Sequence, residues 1–164
     1  MGLKRVSVIG FCLAAVAAVV MLAAVIIRPP KIYISEICPS NSETSKKTAM
    51  QDKNGEPSDW IEIYNPTNKD ISLTGFSLSK NGGGDQPLGG YVIKAHDYII
   101  VYCSSAGFEN ADFPHADFSI GKVSEAEIIL KYDSLQCESI KMPKLDKGVS
   151  YSKNVKGEMY VSEP

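Results

Sequence analysis

The chain has 164 residues, 44% of them apolar, and carries 17 Lys and Arg against 19 Asp and Glu. That length holds one ordinary domain and a short appendage, and the charge is split between them: Lys4, Arg5 and Arg28 are the only charges in residues 1–28, while residues 29–164 carry 14 Lys against 19 acids, a balance of −5. A phosphate backbone needs a basic surface, so no nucleic acid is expected as a partner, and two His in the whole chain argue against His-based catalysis or a multi-His metal site.

From Val6 to Ile27 only Ser7 and Gly10 interrupt a run of apolar residues, and none is charged. As a helix, 22 residues span about 33 Å, enough for a hydrocarbon core. A cleaved signal is the competing reading, with Ala15-Val16-Ala17 as its small-x-small site. Cleavage there would leave a mature chain beginning with ten apolar residues, so a retained membrane anchor is expected. Lys4 and Arg5 before the helix nearly balance Arg28 and Lys31 after it. The short N-terminal tail then favours a cytoplasmic N-terminus and a single-pass protein whose domain faces outside the cytoplasm. Gly10, Ala14 and Ala18 form a stripe of small residues, read most simply as part of an Ala-rich helix.

Pro29-Pro30 stops that helix and makes a short, stiff spacer. Beyond it, short runs rich in Ile, Val, Tyr and Phe recur between Gly, Pro, Asn and Asp, the pattern of an all-β sandwich. Strands are expected at residues 31–37, 60–64, 71–78, 91–94, 98–103, 117–120, 127–132, 136–141 and 149–153. Gly75 reads as a bulge within the third. Three longer connections, residues 39–58, 79–90 and 104–116, are the expected binding loops, with the glycine-rich second one expected to be mobile. The expected division is an anchor over 1–28, a β-sandwich over 29–157 and a tail over 158–164.

Several of these segments together resemble the lamin tail domain in its bacterial form. Ile32-Tyr33-Ile34-Ser35-Glu36-Ile37 is similar to the family's opening strand. Gly55-Glu56-Pro57-Ser58-Asp59-Trp60-Ile61-Glu62-Ile63-Tyr64-Asn65 resembles its central signature, an Asp-Trp-Ile-Glu strand ending in Asn. Leu73-Thr74-Gly75-Phe76-Ser77-Leu78 resembles the strand that follows. Residues 93–102, Phe118-Ser119-Ile120 and Ser150-Tyr151-Ser152-Lys153 resemble later landmarks, and Ser124-Glu125-Ala126-Glu127 departs from the usual Gly-Glu turn. The resemblance implies an immunoglobulin-like sandwich whose role is binding or structural, found in bacteria on extracytoplasmic or membrane-linked proteins. The DNA binding of nuclear relatives does not fit the −5 balance or the lack of a coiled-coil rod.

Individual residues sharpen these expectations. Asp52, Asn54, Glu56 and Asp59 place oxygen ligands around Gly55, a weak calcium possibility, although Ile63 stands where a terminal bidentate Glu would be needed; the plainer reading is an acidic turn. Asp59 and Glu62 read as structural, not as a general acid–base pair. Trp60, the sole tryptophan, shares a strand face with Glu62 and Tyr64, and Ile61 and Ile63 share the other; either could be the core. If the Ile pair is buried, Trp60 and Tyr64 could stack on a sugar or a partner. Phe108 adds an aromatic in the 104–116 loop. His96 and His115 lack a catalytic signature. Cys38, Cys103 and Cys137 are expected to be free thiols. The expectation is a non-catalytic binding or scaffold module without cofactor, taking a protein or cell-surface glycan through its loops. The alternative is an accessory subunit of a membrane or envelope complex, recruited chiefly through the helix.

Overall fold

The computed structural model describes residues 28–41, 52, 55, 57–104, 112–121 and 125–162. The chain divides into two units, Met1–Pro30 and Lys31–Pro164. The expected anchor, Val6 to Ile27, lies outside the described residues, as do Asn54, Glu56 and Phe108. Among the described residues no helix is long and apolar enough to cross a membrane.

Among the described residues the second unit holds twelve strands: β1 (Tyr33–Cys38), β2 (Asp59–Tyr64), β3 (Ile71–Ser72), β4 (Phe76–Lys80), β5 (Gln86–Pro87), β6 (Val92–Ile93), β7 (Tyr98–Cys103), β8 (His115–Ala116), β9 (Ala126–Tyr132), β10 (Leu135–Met142), β11 (Ser150–Lys153) and β12 (Met159–Ser162). They form a six-stranded sheet in the order β12-β11-β1-β2-β7-β8, a four-stranded sheet β10-β9-β4-β5 and a small pair β3-β6. Pairing is antiparallel except between β7 and β8.

One apolar layer is shared by the two larger sheets. Ile34, Ile37, Ile61, Ile63 and Val101 come from the first; Phe76, Leu78, Ile128, Leu130 and Ile140 come from the second. Each such side chain contributes about 1.5–3 kcal/mol when fully buried. The alternation in β2 decides the question the sequence left open: Ile61 and Ile63 are completely buried, so Trp60, Glu62 and Tyr64 lie on the outer face. In β1 a register shift between Ile34 and Glu36 resets the alternation. Ile34 and Ile37, three residues apart, therefore both reach the core.

The chain departs from the expected strands in four places. Residues 71–78 are not one bulged strand. Gly75, at φ +88°, sits in a turn closed by the Phe76 N–H donating to the Leu73 carbonyl, and β3 and β4 belong to different sheets. A Cβ at Gly75 would come within 2.9 Å of Asp133 Oδ1. Residues 117–120 are not a strand; they loop back onto Asp59, and the strand lies two residues earlier as β8. The glycine-rich stretch after Ser79 contributes to two paired strands, β4 and β5. Finally, residues 159–162 of the expected tail form β12, because Asn154 organises a turn that returns the chain along β11.

Asn65 shows why the strand signature ends in asparagine. It is fully buried, and its side-chain amide donates to the carbonyls of Lys69, Ile93 and Lys94 at 2.8, 3.1 and 2.9 Å. Its oxygen accepts the Thr67 N–H at 3.0 Å. One side chain thus ties the turn after β2 to β6 and supplies partners that the turn's own backbone lacks.

Candidate recognition surface

The outer face of β1, β2 and β7 carries two aromatic rows. Strand register sets Tyr33, Tyr64 and Tyr98 directly opposite one another. Tyr33 and Tyr64 meet edge to face with centroids 5.5 Å apart, and Tyr64 and Tyr98 lie 4.5 Å apart at 32°. Tyr64 is therefore covered on both sides, and Tyr98, 52% exposed, is the ring this row presents. The Lys153 ammonium lies 4.7 Å from the Tyr33 ring centre and is fixed by an ion pair with Glu138. At the other end of the face Trp60 stands opposite Tyr102, which meets Phe113 edge-on at 6.2 Å.

Glu36, Glu62 and Ile100 fill the row between. Glu62 accepts the Ser35 hydroxyl at 2.7 Å, and Glu36 accepts that of Ser150. Partial burial, with Glu36 alongside, holds the Glu62 carboxyl above its ordinary range despite the Ser35 bond. Burial also raises the hydroxyls of Tyr33, Tyr98 and Tyr102, so they stay neutral donors and acceptors at physiological pH. The face offers ring surface, neutral hydroxyls and two carboxylates.

The remaining sequence candidates are distributed elsewhere. Asp59 points to the end of the sandwich: its Oδ2 accepts the Ser119 hydroxyl at 2.9 Å and the Ile120 and Gly121 N–H groups at 2.8 and 3.1 Å. Burial still pushes its carboxyl up overall. Asp59, Ser119 and Lys147 also line a polar pocket of about 220 Å³. Asp52 is buried and accepts the Ser58 hydroxyl at 2.6 Å. Asp52 influences Tyr102 and His115, whereas Asp59 influences Cys38 and Cys103, so the two carboxylates serve different surroundings. No group of three or more His, Cys, Asp or Glu among the described residues could hold a metal.

His96, at φ +57° in the turn before β7, bonds Asn68 at 2.6 Å; His115 bonds the Ser104 hydroxyl at 2.9 Å, and burial lowers its pKa. Cys38, Cys103 and Cys137 are free. Cys38 and Cys103 lie on the two strands flanking β2, so two strand spacings, roughly 10 Å, separate their chains, beyond disulfide reach. Burial pushes the Cys38 thiol up to about 11 and that of Cys103 well above its usual range.

Tyr33, Tyr98 and Tyr102 were not singled out by sequence as part of this face. The signal was available in the odd–even alternation of residues 98–103, but strand order was needed to bring it beside Trp60 and Tyr64. Taken together, the two-sheet fold and its aromatic outer face define a β-sandwich of the binding or scaffold type. The family model of the lamin tail domain matches residues 28–138, and the chain belongs to that family. A comparison with curated proteins finds no match.

Proposed function

We propose that the protein is a non-catalytic binding or scaffold module, needing no cofactor, held to a membrane by residues 6–27 with its sandwich outside the cytoplasm. Its ligand is a protein or a cell-surface glycan, not nucleic acid. The observation that carries this reading is the partly open aromatic face of the six-stranded sheet, with Trp60 and the exposed Tyr98 at its two ends. Aromatic rings with neutral hydroxyls recognise sugar faces and protein side chains alike. The unbroken apolar run from residue 11 to 27 supports the anchor, and the −5 balance of residues 29–164 supports the exclusion of nucleic acid.

The test is binding of the purified full chain, in detergent, to cell envelopes before and after protease stripping. Binding that survives stripping identifies a glycan, and binding lost on stripping identifies a protein. In either case the Trp60→Ala/Tyr98→Ala double variant binds at least about tenfold more weakly, as expected for losing two aromatic contacts. Retained binding in that variant, lost when residues 6–27 are replaced by another membrane helix, would favour the accessory-subunit reading instead.

A further inference from the structure

Among the described residues the two larger sheets end in four edge strands, and three of these are blunted. β5 has two residues, one of them Pro87, which has no N–H to offer. β8 also has only two residues. β10 is long, but its register shifts between Gln136 and Glu138, and Glu138 binds across to the other sheet, accepting the Ile34 N–H at 2.8 Å and pairing with Lys153. Bulges, short strands, prolines and charges are the devices that keep an edge from pairing with another chain.

β12 is twice as long as β5 or β8 and carries no bulge, proline or charge within its four residues. It reads Met159-Tyr160-Val161-Ser162. Tyr160 is 47% exposed on the outer side and Val161 52% exposed on the other, where the six-stranded sheet is wider than its four-stranded partner. The direction of its free backbone groups follows from the hairpin. The Asn154 N–H donates to the Glu158 carbonyl at 2.9 Å, so 154 and 158 form a hydrogen-bonded pair. Alternation then makes Ser152 with Tyr160 and Ser150 with Ser162 the next bonded pairs. Met159 and Val161 are left aiming their N–H and carbonyl groups away from the sheet.

We propose that β12 is the pairing edge of a symmetric homodimer, joined antiparallel to β12 of a second copy. A two-fold axis through Tyr160 places Met159 opposite Val161 of the second copy, and Val161 opposite its Met159. These are the residues whose backbone groups point outward, so both form hydrogen-bonded pairs. Tyr160 then meets its own counterpart at a non-bonded position, where Cα atoms approach to about 4.5 Å and side chains are closest. Glu158 falls opposite Ser162 of the second copy, so the register brings no like charges together. A sheet edge recognises a strand, and this strand is complementary to itself in backbone and in side chains. Four residues bury less than a standard interface, so the dimer is weak in dilute solution. β12 lies beyond the residues matched to the family, and the proposal is independent of the aromatic face and of the anchor.

The test is oxidative cross-linking of the full chain in detergent, with Tyr160→Cys compared with Val155→Cys. Val155 is fully exposed on the 154–157 turn, outside the paired register, and the two variants share the same anchor and native cysteines. The Tyr160→Cys chain should convert to a disulfide-linked dimer well beyond the wild-type background, while Val155→Cys stays at that background. Adding Val161→Pro, which removes an N–H that β11 does not use, should abolish the cross-link at an unchanged thermal midpoint; Val161→Lys should weaken it without touching the backbone. Equal cross-linking of the Tyr160→Cys and Val155→Cys chains, or a Tyr160→Cys cross-link unaffected by both Val161 variants, would overturn the proposal.

Discussion

Strand β2 has two faces that differ in burial and in chemistry. Inward, Ile61 and Ile63 are completely buried among the apolar side chains of both sheets. Outward, Trp60, Glu62 and Tyr64 are only partly covered, and their neighbours are tyrosines, hydroxyls and a second carboxylate. A face built only for stability would not set Glu62 opposite Glu36, since like charges directly across a strand pair oppose each other. On the proposed reading the inward face carries stability and the outward one recognition, and variants on each side should separate the two properties.

The largest effects belong to the inward side and the turn that closes it. Ile63→Ala should cost about 2–5 kcal/mol, read from chemical denaturation, because it opens a cavity in a fully buried layer. Asn65→Ala should cost about 3 kcal/mol, since it strips the Lys69, Ile93 and Lys94 carbonyls of a shared donor in a buried site. A cost below about 0.5 kcal/mol at either position would break the distinction between the faces.

On the outward side Tyr98→Ala should cost only about 0.5–1.5 kcal/mol, the worth of one aromatic pair, while weakening binding. Glu62→Gln should be smaller still and opposite in sign. The Glu62 pKa is raised in the folded protein, so the folded chain binds its proton more readily than the unfolded one. Its favourable contribution is complete below the unfolded value of 4.5 and is lost as pH rises through the folded value above it. Glu62→Gln should therefore be slightly more stable than wild type at pH 7, a gain that shrinks as pH falls towards 4.5. Denaturation curves across that range would show it; a variant less stable than wild type at pH 7 would contradict it.

Thiol chemistry gives the smallest perturbation. In the native state a maleimide should modify Cys137, which is partly exposed, and leave Cys38 and Cys103 unmodified until the protein unfolds. Rapid native labelling at Cys103 would mean that the inner layer opens.

How much of this was legible in the sequence depended on distance along the chain. Alternation in residues 60–64 and 98–103 located β2 and β7 to within a residue, and the Asp-Trp-Ile-Glu segment with its Asn carried the family. Alternation alone could not say which face of β2 was buried. That depended on the second sheet, whose Phe76 and Leu130 lie far away in sequence. The same limit explains the misplaced elements. Gly75 was compatible with a bulge or a turn, and its positive φ and the Asp133 side chain beside it decided for the turn. Residues 117–120 have the composition of a strand, but Asp59 takes the N–H groups of Ile120 and Gly121. Residues 154–164 read equally as a weak continuation or a frayed tail, because β12 pairs with β11 and the turn between them rests on Asn154.

The most direct measurement of the two-face account is the emission of Trp60, the sole tryptophan, during titration of the full chain with detergent-solubilised cell envelope. If the outer face is the recognition surface, emission shifts to the blue in a saturable way as water leaves the indole, and the midpoint of the shift moves to higher concentration in Tyr98→Ala. Saturable binding, measured independently, with unchanged Trp60 emission would contradict the account and move recognition to another part of the molecule.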